Sequence, residues 1–316
     1  MNLKEQIEKI ASELSFYAVG VTSTEYDPVA HDKHLRWLDK GYQAEMAYLE
    51  KNSRKRFDPK AHLPNARSVI VCAHNYYNEP NNNPNDGYIS IYARGEDYHN
   101  VIREKLQRLC DNITDIHGDF NYKICVDTSA ISEKTLAVKA GIGFIGRNGL
   151  VIIPKKKRET VPPKGSFHFL GVIITDIDLQ PDEIGVGTCG KCTKCIDACP
   201  TNAIIGDGVI DADQCISYHT THNKNEIPDD LKPRFDNMMF GCDICQLVCP
   251  YNNSPVITSE TKFHPISELA DNRLSTLSNE DLRKSISITA LSAMGVEAVK
   301  RNIKIALDNI ITKTEN

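Results

Sequence analysis

The chain has 316 residues, 41% hydrophobic and 25% charged, the composition of an ordinary globular protein with room for two or three domains. No apolar run approaches the roughly 20 residues a membrane helix requires, and MNLKEQIEKI at the N-terminus reads as an amphipathic helix, not a targeting segment, so a cytoplasmic protein without membrane attachment is expected. The net charge of −5 argues against bulk, sequence-blind nucleic-acid binding and leaves room only for a local basic site.

Leu3, Ile7, Ile10 and Leu14 recur at helical spacing, and a short strand follows near Ala18 to Thr22. Leu35, Leu38, Tyr42, Met46 and Leu49 predict a second helix that runs to Arg54, Lys55 and Arg56 before Asp58-Pro59 stops it. Ser68 to Ala73 has the continuous apolar run of a buried strand. Asn78 to Gly87, rich in proline and asparagine, can only be a loop, and Tyr88 to Ala93 reads as another strand. Arg94 to His99 then leads into a helix with Val101, Leu106 and Leu109 inward.

Lys123 to Val126 predicts a strand that delivers Asp127 at its carboxyl end, followed by a turn and a helix capped by Ser132. That edge of an α/β sheet is where ligands gather, although a lone aspartate there is most often a turn or cap residue. Gly141, Gly143 and Gly146 match G-x-G-x-x-G, but helix precedes and strand follows, the reverse of the dinucleotide fingerprint. They read instead as a helix C-cap and a tight turn. Lys155 to Arg158 with Lys164 form the one dense basic run, either a solvated hairpin tip or an anion contact. Phe167 to Asp176 returns as a long strand, giving roughly five or six strands in βαβ-like order and a mixed-sheet α/β domain.

Eight of the eleven cysteines lie in the next stretch. Cys189, Cys192, Cys195 and Cys199-Pro200 are followed by a lone Cys215, then by Cys242, Cys245 and Cys249-Pro250. Two groups end in C-x3-C-P, the bacterial spacing for cubane iron–sulfur clusters, in which the last cysteine crosses to the other cluster. The spacing therefore assigns Cys189, Cys192, Cys195 and Cys249 to one 4Fe–4S cluster and Cys199, Cys215, Cys242 and Cys245 to a second. Zinc accepts four thiolates but has no use for the paired C-x3-C-P endings. Disulfides do not suit a chain of this length read as cytoplasmic. Cys72, Cys110 and Cys125 sit in apolar or helical contexts and read as packing residues.

Beyond a linker at Ile257 to Pro265 only helices are expected. Ser278 with Asp281 starts one, and Val299, Ile303, Ala306 and Ile310 make an apolar stripe with Lys300, Arg301 and Lys304 off it. So short a tail should pack on the rest of the molecule.

Taken together, VDTSAISEKTLAVKAGIGFIGRNGLVI, GSFHFLGVIIT, CGKCTKCIDACPTNAI, DQCISYHTTHNK and FGCDICQLVCPYN resemble the epoxyqueuosine reductase family across nearly the whole chain. That family is similar to reductive dehalogenases. The resemblance implies a cobalamin-binding α/β domain at 1–178, a ferredoxin-like module with two 4Fe–4S clusters at 179–258 and a short HEAT-like helical region at 259–316. It implies base-off cob(II)alamin as a cofactor; Asp115-Ile-His117-Gly118 only approximates the D-x-H-x-x-G loop that ligates cobalt elsewhere, so no histidine lower ligand is expected. The implied reaction passes two electrons through the clusters to cobalamin and reduces the epoxide of epoxyqueuosine at the tRNA wobble position to the alkene of queuosine, the last step of queuosine biosynthesis.

Asp127 matches the family's general acid, a role that burial would favour by raising its pKa. Arg56, Tyr98, Asp127, Val151, Leu170 and Ser217 carry over as cofactor contacts. Lys224 carries over toward tRNA, with the Lys155 to Arg158 run and the Lys300, Arg301 and Lys304 stripe as further phosphate contacts. A low-potential donor of flavodoxin or ferredoxin type and a monomeric state complete the expectation. The alternatives are a dehalogenase-like cobalamin enzyme acting on a small molecule and a non-catalytic 4Fe–4S electron carrier.

Overall fold

The computed structural model describes residues 1–80, 83, 86–154, 165–270 and 273–315, so the basic run Lys155 to Arg158 and Lys164 lies outside the described residues. Helix α1 (Leu3–Glu13) opens with a capping box: the Asn2 side chain accepts the Glu5 N–H, and the Glu5 carboxylate accepts the Asn2 N–H. Strand β1 (Ala18–Ser23) follows, then α2 (Pro28–Asp39), with Asp27 as its N-cap. The predicted continuation of α2 to Arg56 does not occur. Gly41 and Ala44 take left-handed backbone at φ 71 and φ 50, and the chain proceeds through 3-10 turns at Ala47–Leu49 and Arg54–Phe57.

Strand β2 (Ser68–Asn75) is buried along its whole length. Strand β3 is only Tyr88–Ile89, shorter than predicted, because the Ser90 hydroxyl and the Ile91 N–H turn to the buried Asp243 carboxylate instead of to a neighbouring strand. Helix α3 (Tyr98–His117), strand β4 (Tyr122–Cys125), helix α4 (Glu133–Lys139), the short hairpin β5 (Phe144–Ile145) and β6 (Val151–Ile152), and strand β7 (His168–Thr175) complete the first half. The helix-before, strand-after order around Gly141 is as expected. Gly141 sits at φ 76, and a side chain there would meet the Glu183 carbonyl at 2.7 Å.

The main sheet has the order β1-β2-β7-β4, and every neighbouring pair is antiparallel. This corrects the expected mixed sheet of five or six strands. Helices α1 and α3 cover one face through Ile7, Ala11, Ile102 and Leu106 over Ile70 and Ile173; α4 covers the other through Leu136 and Ala137 over Val71 and Val172. A sheet buried on both faces reads as unbroken apolar runs whatever its strand direction, and parallel strands share that appearance. Cys72, Cys110 and Cys125 are fully buried in these two cores, as their contexts predicted.

The second half begins with α5 (Lys194–Asp197), the β8 (Ile204–Gly206) and β9 (Val209–Ile210) hairpin, and α6 (Ile216–Thr221). Strand β10 (Met238–Phe240) pairs with β3 in parallel and precedes α7 (Ile244–Leu247). Helices α8 (Ser267–Ala270), α9 (Asn279–Ile286) and α10 (Val296–Thr314) form the tail. Leu282, Ile286, Val299 and Ile303 share one apolar cluster with Ile89, Met239 and Phe240, so the tail packs on the rest of the molecule. Among the described residues no helix is long and apolar enough to cross a membrane.

Candidate active site and paired cysteine groups

Asp127 follows β4 in a left-handed backbone conformation, φ 49, one that aspartate adopts more readily than most side chains. Two donors from the first turn of α3 meet its Oδ2: the Tyr98 hydroxyl at 2.8 Å and His99 Nε2 at 3.1 Å. His99 Nδ1 lies 2.6 Å from Asp97 Oδ1, and Asp97 also caps α3. One helix start thus supplies cap, imidazole and phenol together. Phe169 of β7 stacks on the Tyr98 ring at 4.3 Å, nearly parallel, and fixes the phenol's aim.

The electrostatics differ from the sequence expectation at Asp127. Burial pushes its pKa upward, but the hydrogen bonds from His99 and Tyr98 outweigh that and hold the carboxyl below the usual range. Burial disfavours charge on His99 as well, yet its bonds to Asp127 and Asp97 raise it to about 9. The proton of this pair therefore rests on the imidazole and the charge on the carboxylate. Sequence reasoning missed His99 and Asp97, although Asp-Tyr-His ahead of an apolar helical stripe is a visible N-terminal signature.

Asp127 keeps 59% of its side chain open to solvent. Lys134 is likewise exposed, yet burial lowers its pKa while it donates to the Gly149 carbonyl at 2.8 Å. Both groups are open to solvent while neighbouring charges act on them, so they form an accessible polar site at the end of β4. Arg56 lies near the same site. Its Nη2 donates to the Tyr48 carbonyl at 3.2 Å, it feels the Asp127 charge, and its buried Nε has no partner. Leu170 on β7 borders the apolar cluster that also contains Val151 of β6, which is buried. His168, on the same face of β7 as Leu170, has a buried Nδ1 without a partner. These orphaned polar atoms and apolar strand positions fit a large ligand rimmed with amides, as a corrin is. His117 is exposed at the end of α3.

The eight cysteines fall into two neighbourhoods. Burial raises the Cys249 and Cys195 thiols, and the first is pressed further by Cys189 and Cys192, the second by Cys189 and Cys249. Burial likewise raises Cys215 and Cys242, with Cys199 acting on the one and Cys245 and Cys215 on the other. Cys245, half-buried and pushed up to about 12 by desolvation, also feels Cys215 and Cys199 of its own group and Cys195 of the other. Four thiols in each neighbourhood are the donor set that a 4Fe–4S cluster takes. The Arg147 N–H reaches Cys189 Sγ at 3.5 Å. The backbone N–H of Ser217 points to the Cys215 sulfur, so Ser217 sits against the second group. Cys245 and Cys215 are also the cysteines that act on Lys134, which places the second group near the Asp127 site.

The candidate cationic surface is narrower than the sequence suggested. Arg301 does not stand free on α10: its guanidinium donates to the carbonyls of His219, Asn223 and Asn225. Lys304 pairs with Asp308 at 2.6 Å, and Lys300 bonds Asn279. Lys224, in the loop that Arg301 grips, is exposed. His222 of the same loop lies close enough to Asp127 for their charges to interact.

An imidazole-loaded carboxylate beside a double cysteine module is the arrangement of an iron–sulfur oxidoreductase. Residues 56–128 match the family model described as epoxyqueuosine reductase QueG, DUF1730, and residues 188–252 match the 4Fe-4S double cluster binding domain. The chain is 36% identical to an epoxyqueuosine reductase of Vibrio cholerae over 97% of its own length and 83% of that protein's. It is 36% identical to one of Cyclobacterium marinum, covering 94% of each. A crystal structure of an epoxyqueuosine reductase with an epoxyqueuosine-modified tRNA-Tyr stem loop superposes with a TM-score of 0.87 at 31% identity, over 98% of this chain and 81% of that one. The Bacillus subtilis enzyme, captured with its catalytic aspartate loop swung out of the active site, superposes at 0.86 and 30% identity over 98% and 82%. The chain belongs to the epoxyqueuosine reductase family.

Proposed function

We propose that this enzyme reduces the epoxide of epoxyqueuosine, at the wobble position of tRNA, to the alkene of queuosine, with Asp127 delivering protons that His99 supplies. The observation that carries this reading is the Asp127 pair of bonds to Tyr98 and His99, next to a Lys134 that feels Asp127, Cys245 and Cys215 alike. Cys189, Cys192, Cys195 and Cys249 would hold one 4Fe–4S cluster and Cys199, Cys215, Cys242 and Cys245 the other. Electrons from a low-potential carrier of flavodoxin or ferredoxin type would enter at the first group and leave from the second. Arg56, Tyr98, Val151, Leu170 and Ser217 would bound a base-off cobalamin, which supplies the strongly reducing centre that opens the epoxide.

The chain's own residues do the rest. Tyr98 orients the Asp127 carboxylate, and the His99 imidazolium, steadied by Asp97, passes its proton to Asp127, which carries it to the departing oxygen. An ionised aspartate in the resting enzyme is compatible with this role because its proton is held one hydrogen bond away. Lys224, exposed in the loop gripped by Arg301, would meet a tRNA phosphate. The domain limits 1–178, 179–258 and 259–316, with the last a short HEAT-like region, and a monomeric cytoplasmic state complete the reading.

The test is anaerobic reconstitution with iron, sulfide and cobalamin, followed by EPR and by turnover of epoxyqueuosine-containing tRNA. Two reducible clusters, a base-off cob(II)alamin signal and a loss of about 10²- to 10⁴-fold in Asp127→Ala are expected. Clusters that form without cobalamin binding, or an Asp127→Ala variant with full activity, would overturn the reading.

A further inference from the structure

Converting an epoxide to an alkene breaks two C–O bonds and forms one C=C bond; with two electrons and two protons the oxygen leaves as water. The His99 and Asp127 pair accounts for the first proton. A source for the second lies on the other side of Asp127. Glu133, the first residue of α4, accepts the Asp127 backbone N–H on Oε1 at 2.6 Å. That bond holds the left-handed Asp127 backbone, a conformation that costs an aspartate on the order of 1 kcal/mol and persists only when its surroundings enforce it.

Two carboxyl groups this close do not ionise together without repulsion. Asp127 has Tyr98 and His99 as donors and keeps the charge. The groups that face Glu133 are Asp127 from the turn, Cys125 from β4, Tyr98 and His99 from α3 and Lys134 from α4, and the Lys134 ammonium is turned to the Gly149 carbonyl. Burial and the Asp127 charge push Glu133 up to about 8, while the bond from the Asp127 N–H and then the His99 and Lys134 charges only moderate the rise. Neighbouring acids driven apart in this way mark an assignment of roles.

We propose that Glu133 is the positioning residue of the catalytic turn and the holder of the second proton: its carboxyl fixes the Asp127 backbone and returns a proton to the Asp127 carboxylate after the first has been delivered. One proton reaches the oxygen as the first C–O bond breaks, and the second follows the same carboxylate as the other breaks. The two electrons come from the low-potential carrier through the clusters, and Glu133 is left ionised until solvent reprotonates it. The purpose of this proton rests on the proposed reduction; its location on Glu133 does not.

The experiment uses cluster-reconstituted protein. Infrared difference spectra between about pH 6.5 and about pH 9.5 should show a protonated-carboxyl band that titrates away in the wild type and is missing in Glu133→Gln. Glutamine keeps an oxygen for the Asp127 N–H, so this variant should fold and keep its tRNA KM while kcat falls more than about tenfold and the alkaline limb near pH 8 disappears. Glu133→Ala should lose the placement of Asp127 as well and fall further. A band unchanged by Glu133→Gln, or a Glu133→Gln enzyme with wild-type kcat and pH profile, would overturn the inference, and with Asp127→Ala inactive it would leave the proposed reduction standing.

Discussion

At the residue scale the site depends on where one proton rests. His99 is charged because two carboxylates, Asp127 and Asp97, flank it, against the burial that disfavours the charge. In His99→Gln the carboxylate of Asp127 keeps Tyr98 but loses its proton supply, and kcat should fall by roughly 10²-fold with little change in KM, measured by turnover of modified tRNA. The same group sets a pH dependence of folding. Its folded pKa of about 9 exceeds the ordinary 6.5, so its stabilisation is complete below pH 6.5 and is lost as pH rises through 9. Denaturant titrations at the two ends of that window should differ by on the order of 2 kcal/mol more in the wild type than in His99→Gln.

The place of Asp127 was legible in the sequence, since a strand that ends in Val-Asp-Thr-Ser before a helix puts the aspartate at a sheet edge; the predicted Ser132 cap is not made, its hydroxyl meeting that of Thr135 instead. The ionisation of Asp127 was not legible. The partners that set it, Tyr98 and His99, lie 29 and 28 residues earlier and meet it only because α3 starts beside the end of β4. A rise through burial was the natural sequence expectation, and hydrogen bonds from a distant helix start reversed it.

At the element scale, Asp243 joins the cysteine module to the first half of the chain. Lying between Cys242 and Cys245, its buried carboxylate accepts from the Tyr88 hydroxyl at 2.9 Å, the Ser90 hydroxyl at 2.5 Å and the Ile91 N–H at 2.7 Å. Burial raises the Asp243 pKa, and these three bonds and the buried Arg94 offset that only in part. Asp243→Ala would strand three donors in the interior and should cost about 3–5 kcal/mol by denaturant titration, together with cluster content measured as bound iron. An Asp243→Ala protein of unchanged stability and iron content would show that the parallel pairing of β10 with β3 alone holds the module in register. The truncated β3 follows from the same contact. Alternation and β-propensity favour a strand through Ala93, but a carboxylate 152 residues away competes for the Ile91 N–H and wins.

On the scale of the whole molecule, the tail is part of a shared core. Leu282, Ile286 and the buried face of α10 cover Ile89, Met239 and Phe240, and Phe240 is two residues from Cys242. Asn302 donates to the Thr220 carbonyl at 2.9 Å, and Arg301 grips the loop beyond, so α10 also fixes the segment carrying His222 and Lys224. Deleting residues from Val296 onward should uncover this apolar surface, seen as dye binding and aggregation, and lower iron retention in the second cysteine group. A truncated protein that stays monodisperse with full iron content would show the tail to be an accessory.

What the sequence alone determined is what depends on short spacing: the cysteine groups with their C-x3-C-P endings, the helix after Asp127, the glycine turn that is not a dinucleotide site, and the buried central strands. These are local rules of chain geometry, and a few consecutive residues suffice to express them. The tertiary structure decided the antiparallel order of the sheet, the early end of α2, the diversion of Arg301 from the surface to three carbonyls, and the proton balance among His99, Asp127 and Glu133. Each of these depends on which groups compete for the same donor, acceptor or apolar face across long sequence separations, and that competition is resolved only when the chain is packed.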